Sequence, residues 1–302
     1  MKRPGYWTLL IGLYGLYFIV YEGEIMGAML ALAILALAFL LHREKRPRNA
    51  GGGWSRKPAE GKTPTRRSKV KYIPPPEKEK LAMSIDEAFA KLPAQMMSRS
   101  GSLFYSGRAA FHGTSDLYIL GLNPGGSPVT QADETIARDV ADWRDLPEHW
   151  SAYLDESWQG KQPGTHGMQP RMRHMFDQLG RDLRAVPASN VVFVRSATEA
   201  ALAAEKASLL AQCWPVHDAV IRQLRVRTIL CLGATSGRWT REVIGADRLI
   251  DRFQEENARG WTSEAHVAPD GRAVVTVTHP GRADWRNAAA DPTPLVRAVL
   301  DR

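Results

Sequence analysis

The apolar positions of the chain fall into two regimes. Residues 4–21 (PGYWTLLIGLYGLYFIVY) and 25–42 (IMGAMLALAILALAFLLH) carry no formal charge and no polar face, and the acidic turn Glu22-Gly23-Glu24 separates them. Each stretch is 18 residues long, close to the length of about 20 that crosses a hydrocarbon core of about 30 Å. Lys2 and Arg3 precede the first run, and Arg43, Lys45, Arg46 and Arg48 follow the second. Positive charge outside both ends predicts a transmembrane helical hairpin over residues 1–48 with both ends cytoplasmic. The implied location is the cell inner membrane, as a multi-pass protein that meets membrane lipids through residues 4–42 and holds its remaining chain in the cytoplasm. An exported protein with a cleaved signal peptide fits less well, because the apolar segment is too long and no small-residue cleavage site follows it.

Residues 49–81 contain GGG at 51–53, PPP at 74–76 and scattered Arg and Lys. Such a stretch buries too little apolar surface to fold and reads as a basic linker. From residue 82 to 302 the pattern alternates between helical and strand periods. Ser84-Ile85-Asp86-Glu87 is a capping box that predicts a helix to about Met97. The runs at 116–122, 189–196, 228–233 and 273–280 read as strands. Helical periodicity marks 171–183, 198–224 with a break near Trp214-Pro215, a helix opening at Ala234, and a last helix after Asp291-Pro292. Residues 128–170 read as irregular. Strands alternating with helices predict an α/β domain over 82–302, a mainly parallel central sheet flanked by helices.

Charge changes the picture only once it is located. The chain carries +8, but residues 1–80 alone sum to +9 and residues 81–302 to −1. The basic character therefore belongs to the anchor and linker, where anionic lipid suffices to explain it. Two cysteines, Cys213 and Cys231, exclude a disulfide framework and any all-cysteine metal or iron–sulfur site within one chain. His149, His166, His174 and His266 show no metal-ligand spacing, so neither a metal nor a cofactor is expected. Asp133, Glu134, Asp139 and Asp142 read as a solvated face.

Three of the strand ends run into marked loops: Gly121-Leu122-Asn123-Pro124-Gly125-Gly126-Ser127, Gly233-Ala234-Thr235-Ser236, and Thr278-His279-Pro280-Gly281-Arg282. In open parallel sheets ligands bind beyond the carboxyl ends of the strands, so these loops should meet. GLNPGGS lacks the Lys-Ser/Thr of a phosphate-binding P-loop. Ser127 and Ser236 lack the surroundings of a nucleophile elbow.

Taken in order, GLNPGGS at 121–127, SNVVFVRS at 189–196, TILCLGATSG at 228–237 and THPGRADWR at 278–286 resemble the signature segments of the uracil-DNA glycosylase superfamily. The Asn-Pro-Gly first motif is closest to the mismatch-type and single-strand-selective branches. The middle strand resembles the iron–sulfur branch, without its cysteines. The resemblance spans about residues 100–300 and implies the following roles. Asn123 holds the attacking water, and His279 stabilises charge on the departing base. Asn190 reads the base edge, while Gly121, Leu122, Pro124, Gly125 and Gly126 form the rest of the base site. Ser127, Ser236, Arg282 and Trp285 contact DNA, with Gly281 standing where the family usually has a phosphate-binding serine. For the aromatic that stacks on the base, Trp158, His166 and Phe176 are candidates, and Arg171, Arg173, Arg195, Arg282 and Arg286 are the cations nearest the motifs.

The resulting expectation is a membrane-anchored, monofunctional DNA glycosylase that flips out uracil or a modified base and leaves an abasic site. An anti-phage role against hypermodified bases is one alternative, because incoming DNA passes the membrane and the 128–170 insert could widen the pocket. A catalytically inactive DNA- or nucleotide-binding module of the same fold is the other.

Overall fold

The computed structural model describes residues 84–302. The expected hairpin anchor (1–48) and basic linker (49–81) lie outside the described residues. Among the described residues no helix is long and apolar enough to cross a membrane.

The Ser84 capping box forms as expected, Oγ accepting from the Glu87 amide and the Glu87 carboxylate accepting from the Ser84 amide. The helix does not run to Met97, however. It divides into α1 (Ile85–Ala90) and α2 (Ala94–Met97), because Pro93 has no N–H to continue the first ladder. There follow β1 (Leu117–Gly121), α3 (Ile136–Asp145), α4 (Gln169–Leu179), β2 (Ala188–Asn190), α5 (Glu199–Leu224), β3 (Thr228–Leu232), α6 (Ala234–Ile244), β4 (Arg248–Gln254), β5 (Thr262–Val267), β6 (Ala273–Val277) and α7 (Thr293–Leu300).

The strands make one six-stranded sheet in the order β2-β1-β3-β6-β5-β4. The first four are parallel to their neighbours, and β5 runs antiparallel to both β6 and β4. The sheet is thus mixed. Its apolar runs are continuous because both faces are covered. Tyr118, Leu120, Ile229, Cys231 and Val274 pack on one side with α1 and α5; Leu117, Ile119, Leu230, Leu232, Val275 and Val277 pack on the other with α4 and α7.

Four expectations need correction. The β4–β5 hairpin has no counterpart in the sequence reading, since RLIDRFQ and TSEAHV hold no apolar run and β4 is largely exposed. It is a charged edge, which limits pairing with another chain. The second expected strand, 189–196, stops at Asn190. Beyond it the chain still donates from Val191 and Val192 to Gly121 and Leu122, then leaves the sheet to pair with residues 101–102. Residues 128–170 are not wholly irregular: Thr135 caps α3, whose Ile136, Val140 and Trp143 face the core at helical spacing. Finally, α5 passes through Pro215 unbroken. The proline costs about 3 kcal/mol in a helix interior, and burial of Cys213, Val216, His217, Ala219 and Val220 around it offsets that.

His217 is fully buried. Its Nδ1 accepts from the Tyr118 hydroxyl at 2.8 Å, so its Nε2–H donates to the Val191 carbonyl at 3.2 Å. Burial holds its pKa down at about 4, and the neutral ring ties α5 to β1 and to the residue following Asn190.

Candidate active site

The parallel order β2-β1-β3-β6 sets the carboxyl ends of four neighbouring strands at one edge, where Asn190, the 121–127 loop, Gly233 and the 278–282 loop follow. Gly121 pairs directly with Asn190. The absence of a Cβ at Gly121 is what admits the asparagine, whose Oδ1 fills the space a side chain would take. Asn190 is 6 % exposed, and its Nδ2 is buried with no hydrogen-bond partner among the described residues. A buried amide left unpaired costs about 1–3 kcal/mol.

Asn123 is half-buried, and its Nδ2 donates to the Pro124 carbonyl at 2.8 Å. This bond occupies Nδ2 and leaves Oδ1 as the amide's acceptor. Pro124 is buried, whereas Gly125 and Gly126 are exposed at the rim. Arg195 fixes the loop from below: it donates to the Gly125 carbonyl, to Glu134 Oε2 at 2.7 Å and to Ser100 Oγ at 3.1 Å. Ser127 donates its amide to Gln131 Oε1, and its hydroxyl accepts from the Val129 and Thr130 amides. Its first task is therefore to close the turn.

At the end of β3, Gly233 adopts φ +107°, a backbone region that glycine alone occupies freely, and the His279 ring packs beside it. His279 is half-buried. Its Nδ1 accepts from the Gly281 amide at 3.0 Å, which leaves the proton of the neutral ring on Nε2. Burial, reinforced by the Arg282 charge, lowers its pKa, while Glu199 opposes them. Gly281 thus contributes its amide to set the tautomer.

Two expected DNA contacts are misplaced. Trp285 is fully buried and donates its indole N–H to the Thr278 carbonyl at 3.2 Å, so it fastens the 278–285 loop to the core. Ser236 is 1 % exposed and its hydroxyl donates to the Gly233 carbonyl inside the first turn of α6. Arg282 is exposed and has no acidic partner among the described residues. Other cations near the motifs are committed: Arg171 and Arg286 share Asp284, and Arg195 holds Glu134. Arg173 packs beneath Gly164.

Of the aromatic candidates, Phe176 lies in the core at 1 % exposure. His166 packs in the turn that leads into α4, its amide bonded to Gln169. Trp158 is half-buried, bonded through its N–H to Glu156 at 2.9 Å and edge-on to Tyr153. Tyr153 stacks on Tyr105 at 5.9 Å. Burial raises the Tyr105 phenol to about 12, with the neighbouring Asn190 pulling the other way. Tyr105 precedes β1 in a segment without a strand or helix period, and nothing in the sequence marks it.

Asp139 is not on a solvated face. It accepts from the Leu103 amide at 2.7 Å, and burial raises its carboxyl to about 6. Glu199, in the first turn of α5, accepts from the Thr235 hydroxyl at 2.9 Å and so links that helix to the 233–236 loop. An acid there reads as an ordinary first-turn charge, which is why the sequence did not single it out. An open cavity of about 250 Å³ lies elsewhere, among Asp116, Arg227, Arg248 and Arg302 at the opposite edge of the sheet.

The arrangement brings two amides and a neutral imidazole to one edge: an acceptor from Asn123, both amide functions of Asn190 and a donor from His279. No protein-family model matches this chain, and no curated protein matches it either.

Proposed function

We propose that the chain is a DNA glycosylase of the uracil-DNA glycosylase type, held to the membrane by residues 4–42. The observation that carries this reading is the buried, unpartnered Nδ2 of Asn190, at the end of β2 beside the Asn123 loop and in the same row of strand ends as the His279 loop. An amide offers donor and acceptor side by side, which matches the O4 and N3–H of an extruded uracil or the edge of a modified pyrimidine.

The chemistry requires little acid–base work. As the C1′–N bond lengthens, the sugar gains cationic character and the base gains negative charge. His279 Nε2–H donates to the base carbonyl where that charge collects, an interaction that is strongest in the transition state. Asn123 Oδ1 accepts from a water and aims it at C1′. The water oxygen bonds to C1′, its proton leaves to solvent, and the base departs as an anion that is protonated afterwards. An amide cannot take the water's proton, so the rate rests on departure of the base, and better leaving groups should react faster.

The test is base release by the full chain from oligonucleotides containing uracil, mismatched thymine, or hydroxymethylated or glucosylated cytosine, read by alkaline strand cleavage. Cleavage at one base, lost in Asn123→Ala and in His279→Ala, is the expected result. Absence of release from every substrate while DNA is still bound overturns the glycosylase and leaves a binding module.

A further inference from the structure

The antiparallel hairpin that the sequence did not announce delivers its turn to the same edge as the site. β6 runs toward that edge and β5 away from it, so residues 255–261 stand beside the 278–286 loop. The turn is firmly built. Glu255 is 3 % exposed and accepts from Asn257 Nδ2 and Arg259, each at 2.8 Å, while its other oxygen is buried without a partner. Arg259 also donates to the Arg282 carbonyl at 2.6 Å, and its guanidinium lies 4.5 Å from the centre of the Trp261 ring. The Glu255 and Trp261 backbones close the turn at 2.8 Å.

The product is an indole held on one face by a cation and 40 % exposed. Every other large exposed hydrophobic among the described residues is aliphatic: Val129, Val243 and Leu249. Arg282, exposed and without an acidic partner among those residues, has its backbone carbonyl held by the same Arg259. A solvent-facing tryptophan stiffened through Arg259 by a buried carboxylate, with an uncommitted arginine on the adjoining loop, matches the two demands of single-stranded nucleic acid, a platform for a base and a charge for a phosphate.

We infer that the 255–261 turn is a contact surface for single-stranded DNA, with Trp261 stacking on an unpaired base and Arg282 meeting the adjacent phosphate. The inference rests on the glycosylase reading for its choice of DNA, and it deepens that reading by naming an unpaired flank as the preferred context. Arg259 is a positioning residue here: it orients the indole and does not touch the strand.

The test measures binding of the full chain to a fluorescent oligothymidylate, to the same strand in duplex, and to oligouridylate. Trp261→Ala, Trp261→Leu and Trp261→Phe are compared, with thermal unfolding recorded for each. Loss of base–aromatic stacking should weaken oligothymidylate binding by about tenfold or more in the Ala and Leu variants. The Phe variant should recover most of that affinity, and duplex binding should change little. The leucine variant keeps apolar bulk without a π face, so it isolates stacking if the alanine variant loses stability. Wild-type affinity in the leucine variant, or tighter binding of oligouridylate than of oligothymidylate, overturns the inference. Base release is scored in parallel. Release that is indifferent to Trp261, with unchanged strand binding, sinks the inference and leaves the glycosylase standing. Binding that depends on Trp261, with no release from any substrate, does the reverse.

Discussion

Gly121→Ala tests the link between backbone and site most sharply. A Cβ built on Gly121 would lie 2.2 Å from Asn190 Oδ1, whereas real Cβ atoms essentially never come within 3.0 Å of another atom. Asn190 must therefore retreat by at least about 0.8 Å, the difference between those two distances. The fold can absorb this. Overpacking of this kind costs about 1–3 kcal/mol, and the Gly→Ala change returns about 0.4–1 kcal/mol through the unfolded chain. A net loss of about 1–2 kcal/mol lowers the melting temperature by a few degrees in a domain of this size.

The site cannot absorb it in the same way. A misplacement of about 1 Å in a positioning group costs roughly 10²-fold in rate. The expected result is a folded protein, a few degrees less stable, with base release down about a hundredfold. A double-mutant cycle with Asn190→Ala sharpens the test, because removal of the amide also removes the clash. Gly121→Ala should then cost almost nothing further. Wild-type release by Gly121→Ala, or full additivity of the two changes, would show that Asn190 does not read the base.

Three further outcomes follow from the same geometry. His217 has its pKa lowered from 6.5 to about 4 by burial, so the unfolded chain binds the extra proton first and this residue's share of stability, roughly 3 kcal/mol, drains away as pH falls from about 6.5 to about 4. Asp139, raised from 3.8 to about 6, acts in the opposite sense, adding stability as pH falls through that window. Asp139→Asn should therefore raise the melting temperature at pH 7 and steepen the loss of stability between about pH 6 and 4; an unchanged slope in calorimetry would refute the assignment. Arg195→Ala should lower base release while leaving a cooperative melt, and Arg195→Lys should not rescue it, since one ammonium cannot span the Gly125 carbonyl, Glu134 and Ser100 together. Because the His279 pKa is lowered and the neutral ring is the donor, the rate profile should stay flat below pH 6.5 before it falls; a fall centred at or above 6.5 would place the working form elsewhere.

What the sequence made legible divides along physical lines. The runs that became β1, β3 and β6 are buried on both faces, so their composition announced them and their loops together. That the Asn123 and His279 loops, far apart in the chain, leave the same end of the sheet followed from parallel topology alone. The hairpin of β4 and β5 escaped because an edge strand needs no apolar run, and α3 because charged residues outnumber its three core-facing positions, Ile136, Val140 and Trp143.

Among site residues the errors share one cause. A tryptophan or serine beside a motif has the right chemistry for DNA, but chemistry does not report direction. Trp285 and Ser236 turn inward to bond the carbonyls of Thr278 and Gly233, and so they build the loops on which Arg282 and His279 stand. The converse error hid Trp261 and Tyr105. Each lies outside the motif strings, and each matters only through what the fold sets beside it: Arg259 and Asn190. A sequence records which side chains are available at a strand end. Whether one reaches a ligand or braces its neighbour depends on a rotamer and a backbone angle, and these are settled by packing.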